Sequence, residues 1–412
     1  MQDAEMERIC VIADDLTGAA ELAGVGFRYG FEAEVERVGG SGRAPCFLCL
    51  DTDSRSSSKA EAGERVRMAI ERASGAGLIY KKVDSALRGN IVAELDAILT
   101  RVGLERALLV PANPSLQRLI RDGKYTIGGV PIDETGFRND PDYPCRSASV
   151  LDILGTSSSP RPLHVCRPEE DLPSRGIIVG ECGNGEDLMA WAKRLDGSLF
   201  ASGAAEFFTA ILNQLGYQPS AQPRLEVGSE GVAERSFASV PMAGPKSLFV
   251  CGSASESTFR FLEEARRRDV PVLTMPSALR ASGVENGGAG EKWLNDAVDA
   301  LERRDCVLVG IGGPILSNPE LGRLLTARLT DLVVGILECG RVDSIYTEGG
   351  ATAASLMDRM GWKRLRVVRE FAQGVVALRP VEGRVPTVAM KPGSYAWPES
   401  VRKVLESCAR LD

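Results

Sequence analysis

Ile9-Cys10-Val11-Ile12-Ala13-Asp14-Asp15-Leu16-Thr17-Gly18-Ala19 decides how the chain is read. Five apolar residues meet two aspartates, and an amphipathic stretch then runs to residue 29. An apolar run without alternation reads as a strand buried on both faces. Apolar residues recurring at helical spacing read as a helix packed back on it. The unit is strand, turn, helix, with charge concentrated in the turn.

The same unit recurs outward from this stretch. Residues 47–50, 78–81 and 107–110 are strand-like, with helical stretches at 59–73 and 90–101 between them. Such alternation predicts a doubly wound α/β sheet of mainly parallel strands. Residues 111–147 break the rhythm with Pro, Gly, Asn and Asp and read as a long functional loop. Strand-like runs return at 176–179 and 198–201. Residues 218–245, rich in Pro, Gly, Ser and Gln, read as a linker or crossover. Beyond it, runs at 247–251, 270–274, 306–310, 344–346, 366–368 and 387–390 read as strands, and 281–290 as a surface loop. A chain of 412 residues exceeds one ordinary core. The expected fold is α/β in two domains, 1–220 and 246–412, joined by 221–245. Each is a mainly parallel sheet flanked by helices, with the active site expected between them.

Composition narrows the function. A net charge of −7 and the lack of a Lys/Arg block argue against a nucleic-acid partner. Arg266-Arg267-Arg268 reads as a helix end complementing the dipole. No apolar run is long enough to cross a bilayer, so no membrane partner is expected. The acidic, polar residues 1–8 are unlike a signal peptide, and a cytoplasmic location is the expectation. Cys46 and Cys49 form a C-x-x-C within a strand-like run, where residues three apart face opposite ways, so no protein-held metal is expected. His164 is the single histidine and lies in an apolar stretch, which leaves a Ser-His-Asp hydrolase little to stand on.

Ligands of open parallel sheets bind beyond the carboxyl ends of the strands. In the first half those ends deliver Asp14 and Asp15, then Asp51, Asp53 and Arg55, then Lys82, Asp84 and Arg88, then Asn113. A rim of both signs suits a small polyol with an anionic end. Lys82, Arg55 and Arg88 are candidates to hold a carboxylate, and Asp14 or Asp15 to accept a hydroxyl proton. Asp15 or Thr17 also suits a helix N-cap, but one cap site needs only one acceptor.

The second half ends its strands differently. Gly252-Ser253-Ala254-Ser255, Gly310-Ile311-Gly312-Gly313, Glu348-Gly349-Gly350-Ala351-Thr352 and Lys391-Pro392-Gly393-Ser394 are glycine turns. Such turns let backbone N–H groups approach phosphate at a helix N-terminus. There is no G-x-x-x-x-G-K-[ST]. The glycines at 24, 26 and 30 fall near a helix end rather than its start, and read as helix packing with a glycine C-cap.

These residues resemble the four-carbon acid sugar kinases over nearly the whole chain. The resemblance lies in Ala13–Ala19, in Asp51-Thr52-Asp53-Ser54-Arg55, and most specifically in Lys81-Lys82-Val83-Asp84-Ser85-Ala86-Leu87-Arg88-Gly89-Asn90. Residues 128–135, Asp140-Pro141, the 348–352 turn and Lys391-Pro392-Gly393-Ser394-Tyr395 are similar as well. The resemblance implies ATP-dependent phosphorylation of the terminal hydroxyl of threonate, erythronate or a 3-oxo-tetronate, with Mg²⁺ between the phosphates. It implies an acid site lined by Asp14, Asp15, Arg55, Lys82, Asp84 and Arg88. It implies nucleotide contacts from Ser255, Gly349, Gly350, Ala351, Thr352 and Gly393. Departures concentrate in the second half, where Ala254, Ala351 and Tyr395-Ala396 replace the family's Cys, Glu and Phe-Gly; in the first half, Gln117-Arg118-Leu119 stands for Gly-Arg-Thr. A non-catalytic sugar-acid or nucleotide sensor is the alternative, a nicotinamide oxidoreductase a more distant one. The expected partners are the sugar acid and the nucleotide, with a homo-oligomer left open.

Overall fold

The computed structural model describes residues 8–37, 39–40, 42–140, 143–220, 246–253, 255–280, 288–313, 318–340, 342–382, 386–393 and 395–408. The expected linker 221–245, most of the expected loop 281–290, and the motif positions Pro141, Ala254 and Ser394 lie outside the described residues. The chain divides into two compact units, Met1–Pro223 and Arg224–Asp412.

In the first unit, β1 (Ile9–Ala13), α1 (Leu16–Arg28), β2 (Ala33–Arg37), β3 (Phe47–Asp51), α2 (Lys59–Arg72), β4 (Leu78–Lys82), α3 (Ile91–Val102) and β5 (Arg106–Val110) alternate. Then come β6 (Arg118–Arg121), β7 (Lys124–Ile127), β8 (Val130–Pro131), the short α4 (Val150–Leu154), β9 (Leu163–Cys166), β10 (Gly176–Gly180), α5 (Gly185–Lys193), β11 (Leu199–Gly203) and α6 (Ala205–Gln214). The main sheet runs β2-β3-β1-β4-β11-β5-β10-β9, and its pairs are parallel. From β1 the chain builds β2 and β3 on one side and then crosses to β4 on the other. The direction of winding thus reverses between β1 and β4, where the Asp14-Asp15 turn and the Lys82–Arg88 segment emerge.

Two features escaped the hydrophobic pattern. β2 carries Glu34 and Glu36, both buried, and Glu36 is held by Arg72 through two bonds of 2.8 Å. A buried charge with a distant partner looks, in sequence, like a polar surface position. The expected long loop after β5 carries a small antiparallel three-stranded sheet, β6-β7-β8, which sinks Ile120 and Tyr125 into the core. The glycine series in α1 has the packing role expected of it. A Cβ on Gly26 would lie 2.7 Å from the Phe47 ring, and Gly30, just past the helix, has φ +84°.

The second unit contains β12 (Ser247–Cys251), α7 (Glu256–Arg267), β13 (Val272–Thr274), α8 (Ala289–Arg303), β14 (Cys306–Gly310), α9 (Pro319–Cys339), β15 (Ser344–Glu348), α10 (Gly350–Met360), β16 (Arg364–Ala372), β17 (Val375–Pro380), β18 (Thr387–Lys391) and α11 (Glu399–Cys408). Its strands run β13-β14-β12-β15-β18-β17-β16. The first five are parallel; β17 is antiparallel to both β18 and β16. β17 went unread in the sequence because a short hairpin to β16 replaces the strand–helix alternation that signals a parallel strand. Winding reverses here between β12 and β15. Phe249 and Tyr346, from these two strands, stack with ring centres 4.3 Å apart and meet Trp397 edge-on.

Candidate functional site

The β1 turn closes onto Arg55. Asp15 has extended backbone and caps α1: its Oδ1 accepts the Gly18 N–H at 2.8 Å and its Oδ2 the Thr17 hydroxyl at 2.5 Å. Asp14, 1 % exposed, accepts Arg55 Nε at 2.8 Å and Arg55 Nη2 at 3.0 Å. Arg55 Nη1 reaches Asp15 Oδ2 at 2.8 Å, and Nη2 lies 3.8 Å from Asp84. The capping expectation therefore accounts for Asp15, while Asp14 answers to Arg55. Gly89 makes this approach possible. It has φ +93°, and a Cβ there would sit 3.2 Å from Arg55 Cγ and 3.3 Å from Asp14 Oδ2.

The remaining rim residues fold into the same cluster. Arg88 grips Asp84 at 2.8 and 2.9 Å and Asp140 at 3.0 Å, and its guanidinium carbon lies 5.5 Å from the centre of the Phe137 ring. Lys82 is buried and pairs with Glu21 of α1 at 3.2 Å. Beneath it, Lys81 pairs with Glu94 of α3 at 2.9 Å, and Glu94 also accepts the Ser54 hydroxyl. Burial pushes the Asp14 carboxyl up, but Arg55 and Lys81 outweigh it and hold the group below the usual carboxylate range. Asp84 is likewise driven down by Arg88 and Arg55 against its burial. Burial would lower Lys82, yet Glu21, Asp15 and Asp14 raise it. Asp14, Asp84 and Lys82 are thus all shifted toward their charged forms. Arg55 takes both Asp14 oxygens, and Asp15 is engaged by Gly18, Thr17 and Arg55. Each aspartate keeps at least one lone-pair site beyond these bonds.

Asp51, at the end of β3, behaves differently. Its Oδ1 accepts the Asp53 N–H at 2.8 Å, but its Oδ2 is buried without a hydrogen-bond partner, and Arg37 Nε stands 3.8 Å away. Burial pushes this carboxyl from 3.8 up to about 7, against the pull of Arg37. The folded state then holds a proton that the unfolded chain has released, so stability falls as pH rises between about 4 and 7. Asp51→Asn is expected to remove that decline and to exceed wild type at pH 8 by about 2–4 kcal/mol in urea unfolding. Parallel pH profiles of the two proteins would refute it.

In the second unit three glycine turns meet beyond β12, β15 and β18. Ser255 caps α7 by accepting the Thr258 N–H at 3.2 Å, and its hydroxyl donates to the Gly393 carbonyl at 2.6 Å. Gly349 has φ +92° and donates its N–H to the Lys391 carbonyl at 3.0 Å. α10 starts at Gly350, and its N-cap, Gly349, supplies no side-chain acceptor to its first N–H groups. The turns are packed to glycine dimensions. A Cβ on Gly393 would lie 2.6 Å from Ser253 Oγ, and one on Gly252 1.9 Å from Thr352 Oγ1. Thr352 is buried against Gly252, whereas Ala351 is exposed on the first turn of α10. The fourth turn, 310–313, ends β14 and lies beside the end of β13, where Met275 donates to Gly310 at 2.8 Å and Gly312 approaches Thr274.

A family model described as a sugar-binding N-terminal domain matches residues 9–168, and one described as a nucleotide-binding C-terminal domain matches residues 248–395. A D-threonate kinase of Salmonella typhimurium is 27% identical over 390 residues, covering 89% of each chain. A 3-oxo-tetronate kinase of Methylobacterium radiotolerans is 26% identical and covers 97% of this chain and 98% of its own. The chain belongs to the four-carbon acid sugar kinase family. A D-threonate kinase of Cupriavidus necator is 28% identical over 93% of this four-carbon acid sugar kinase homologue and 94% of its own length. Among solved structures, a Haemophilus influenzae protein of family DUF1537 shares the fold at TM-score 0.68 and 20% identity, covering 97% of this chain and 99% of its own. A protein described as a putative tRNA synthase from Salmonella typhimurium does so at TM-score 0.76 and 16% identity, with the same coverage.

Within each unit the structure pairs rim residues with partners that the sequence did not suggest: Glu21 with Lys82 and Glu94 with Lys81 in the first, and Glu348 with Lys391 in the second. Glu21 did leave a signal, as a charge on the apolar face of α1 between Ala20 and Leu22. Of the C-x-x-C, Cys46 is exposed just before β3 and Cys49 is buried within it. Among the described residues no group of three His, Cys, Asp or Glu is arranged to hold a metal, and no helix is long and apolar enough to cross a membrane.

Proposed function

We propose that this chain transfers the γ-phosphoryl group of ATP to the terminal hydroxyl of a four-carbon sugar acid, threonate, erythronate or 3-oxo-tetronate. The observation that carries the reading is the glycine cradle at the β12/β15 reversal. Three turns converge there, with no room for a Cβ at Gly252 or Gly393 and φ +92° at Gly349, beside the N-terminus of α10, which has no side-chain cap. Backbone N–H groups in such a place suit phosphate oxygens. The names of the relatives, threonate and 3-oxo-tetronate kinases, agree with it.

In this reading Gly350 and Ala351 offer N–H groups to the phosphates, while Ser255, Gly349, Thr352 and Gly393 set the walls. Asp14, Asp15, Arg55, Lys82, Asp84 and Arg88 form the acid site, with Asp14 or Asp15 as the proton acceptor. Asp15 is the more accessible, its side chain being 18 % exposed against 2 % for Asp14. A bound Mg²⁺ would supply charge neutralisation at the phosphoryl group, held by phosphate oxygens and waters with one or two carboxylates. The surplus of carboxylates on the rim fits that arrangement. Positioning and charge neutralisation carry more of the rate than the base does, because the transition state is loose.

The test is ADP release across the tetronate stereoisomers, with and without Mg²⁺. Turnover on at least one, dependent on Mg²⁺, is the expected result. Silence across the panel would sink the kinase reading, and acid binding without ADP would shift it to a sensor. Gly349→Ala, which forces a side chain into φ +92°, is expected to raise the KM for ATP about tenfold or more. An unchanged KM for ATP would remove Gly349 from the nucleotide site.

A further inference from the structure

We infer that Arg118 recognises the carboxylate of the acid substrate, a role that rests on the kinase reading of the same site. Arg118 opens β6 just beyond the carboxyl end of β5, pinned by two backbone bonds to Asn113 at 2.9 and 3.1 Å. Its Nη1 donates to the Ser85 hydroxyl, and its guanidinium carbon lies 5.9 Å from the centre of the Phe137 ring. The ring that Arg118 approaches is the one that also meets Arg88. Ser85 directly follows Asp84 and is itself tethered by the Tyr125 hydroxyl, which donates to the Ser85 carbonyl. Arg118 is therefore part of the acid rim, although its segment reads in sequence as a loop.

Charge is what distinguishes it. Asp14, Asp15, Glu21, Asp84 and Asp140 outnumber Arg55, Lys82 and Arg88, each of these cations is already bound to a carboxylate, and Lys81, which also acts on Asp14, is paired with Glu94. An anionic ligand entering such a field is repelled unless a further cation offsets the excess. Arg118 is half-buried and forms no ion pair with a described residue, and the hydrogen bond it makes goes to a neutral hydroxyl. A guanidinium with five N–H donors, one directed at Ser85, keeps enough of its fork for a bidentate carboxylate. The aromatic face beside it favours the cation without neutralising it.

The experiment compares wild type with Arg118→Gln, Arg118→Lys and Ser85→Ala. Calorimetry is run with threonate, erythronate, 3-oxo-tetronate and the uncharged tetritols, and ADP release is followed in parallel. Charge-assisted hydrogen bonds of this kind correspond to about a 10- to 150-fold loss of acid affinity in Arg118→Gln. ATP affinity is expected to stay unchanged, and the acid's advantage over the tetritol to fall by the same factor. Arg118→Lys should recover part of the loss, and Ser85→Ala should lose less than Arg118→Gln. Acid affinity within twofold of wild type in Arg118→Gln overturns the assignment, as does equal weakening of acid and tetritol. A wild type that turns over while Arg118→Gln binds acid normally removes Arg118 and leaves the kinase reading standing. A wild type that binds acid without releasing ADP removes the kinase reading, and the Arg118 comparison is then decided by calorimetry alone. No binding of any tetronate removes both.

Discussion

Arg55→Met is expected to lower unfolding free energy by about 3–5 kcal/mol and to abolish turnover. Arg55 makes three hydrogen bonds of 3.0 Å or less to Asp14 and Asp15, and Asp84 lies 3.8 Å away. Removing it leaves a buried, ionised Asp14 facing two further carboxylates. Truncating one partner of a buried pair costs far more than the pair is worth, because the surviving charge stays desolvated. The double variant Arg55→Met/Asp14→Asn tests this. It should regain much of the stability, since the orphaned charge is gone, but none of the turnover. Urea unfolding and ADP release read the two effects separately. A stability loss below about 1 kcal/mol in Arg55→Met would mean that solvent screens the cluster.

Lys391→Met is the second large effect, for a related reason in the other unit. Lys391 and Glu348 are register partners on β18 and β15, their charged groups lie 3.2 Å apart, and both side chains are fully buried. Lys391 Nζ also lies 5.5 Å from the centre of the Trp397 ring. Leaving Glu348 without its cation is expected to cost about 3–5 kcal/mol. The consequence reaches the glycine cradle, because Glu348 precedes Gly349 and the Lys391 carbonyl accepts the Gly349 N–H. ATP affinity should fall with stability, while calorimetric binding of the acid is unaffected. Lys391→Met/Glu348→Gln should restore stability to within about 1 kcal/mol of wild type, since a neutral pair of similar volume replaces the ionic one. Equal instability of the single and double variants would show that packing around Trp397, rather than charge, matters here.

These two clusters mark how far the linear chain can be read. The Asp14-Asp15 turn was legible as the end of a buried strand, and its neighbours on the rim were legible as the ends of others. The pairing was not. Nothing in the spacing of Asp14 and Arg55 shows that one guanidinium takes both oxygens of one aspartate and one of the next. Nor does it show that Lys82 is occupied by Glu21. Those contacts depend on β3 and β4 lying on either side of β1, a neighbour relation made by crossovers of a dozen or more residues. The same holds for Arg118, whose segment looked like a loop because antiparallel hairpins of four and two residues leave little periodicity.

By itself the sequence determined the α/β class, the order of most strands and helices, the charged rim in one half and the glycine rim in the other. Apolar runs and turn residues are local signals, and burial follows directly from them. Only the tertiary structure decided which charges neutralise one another, that Asp15 caps while Asp14 is clamped, and that Arg118 keeps its charge unspent. Ion pairing is set by distances across neighbouring strands, and a chain carries no record of those distances until it has folded.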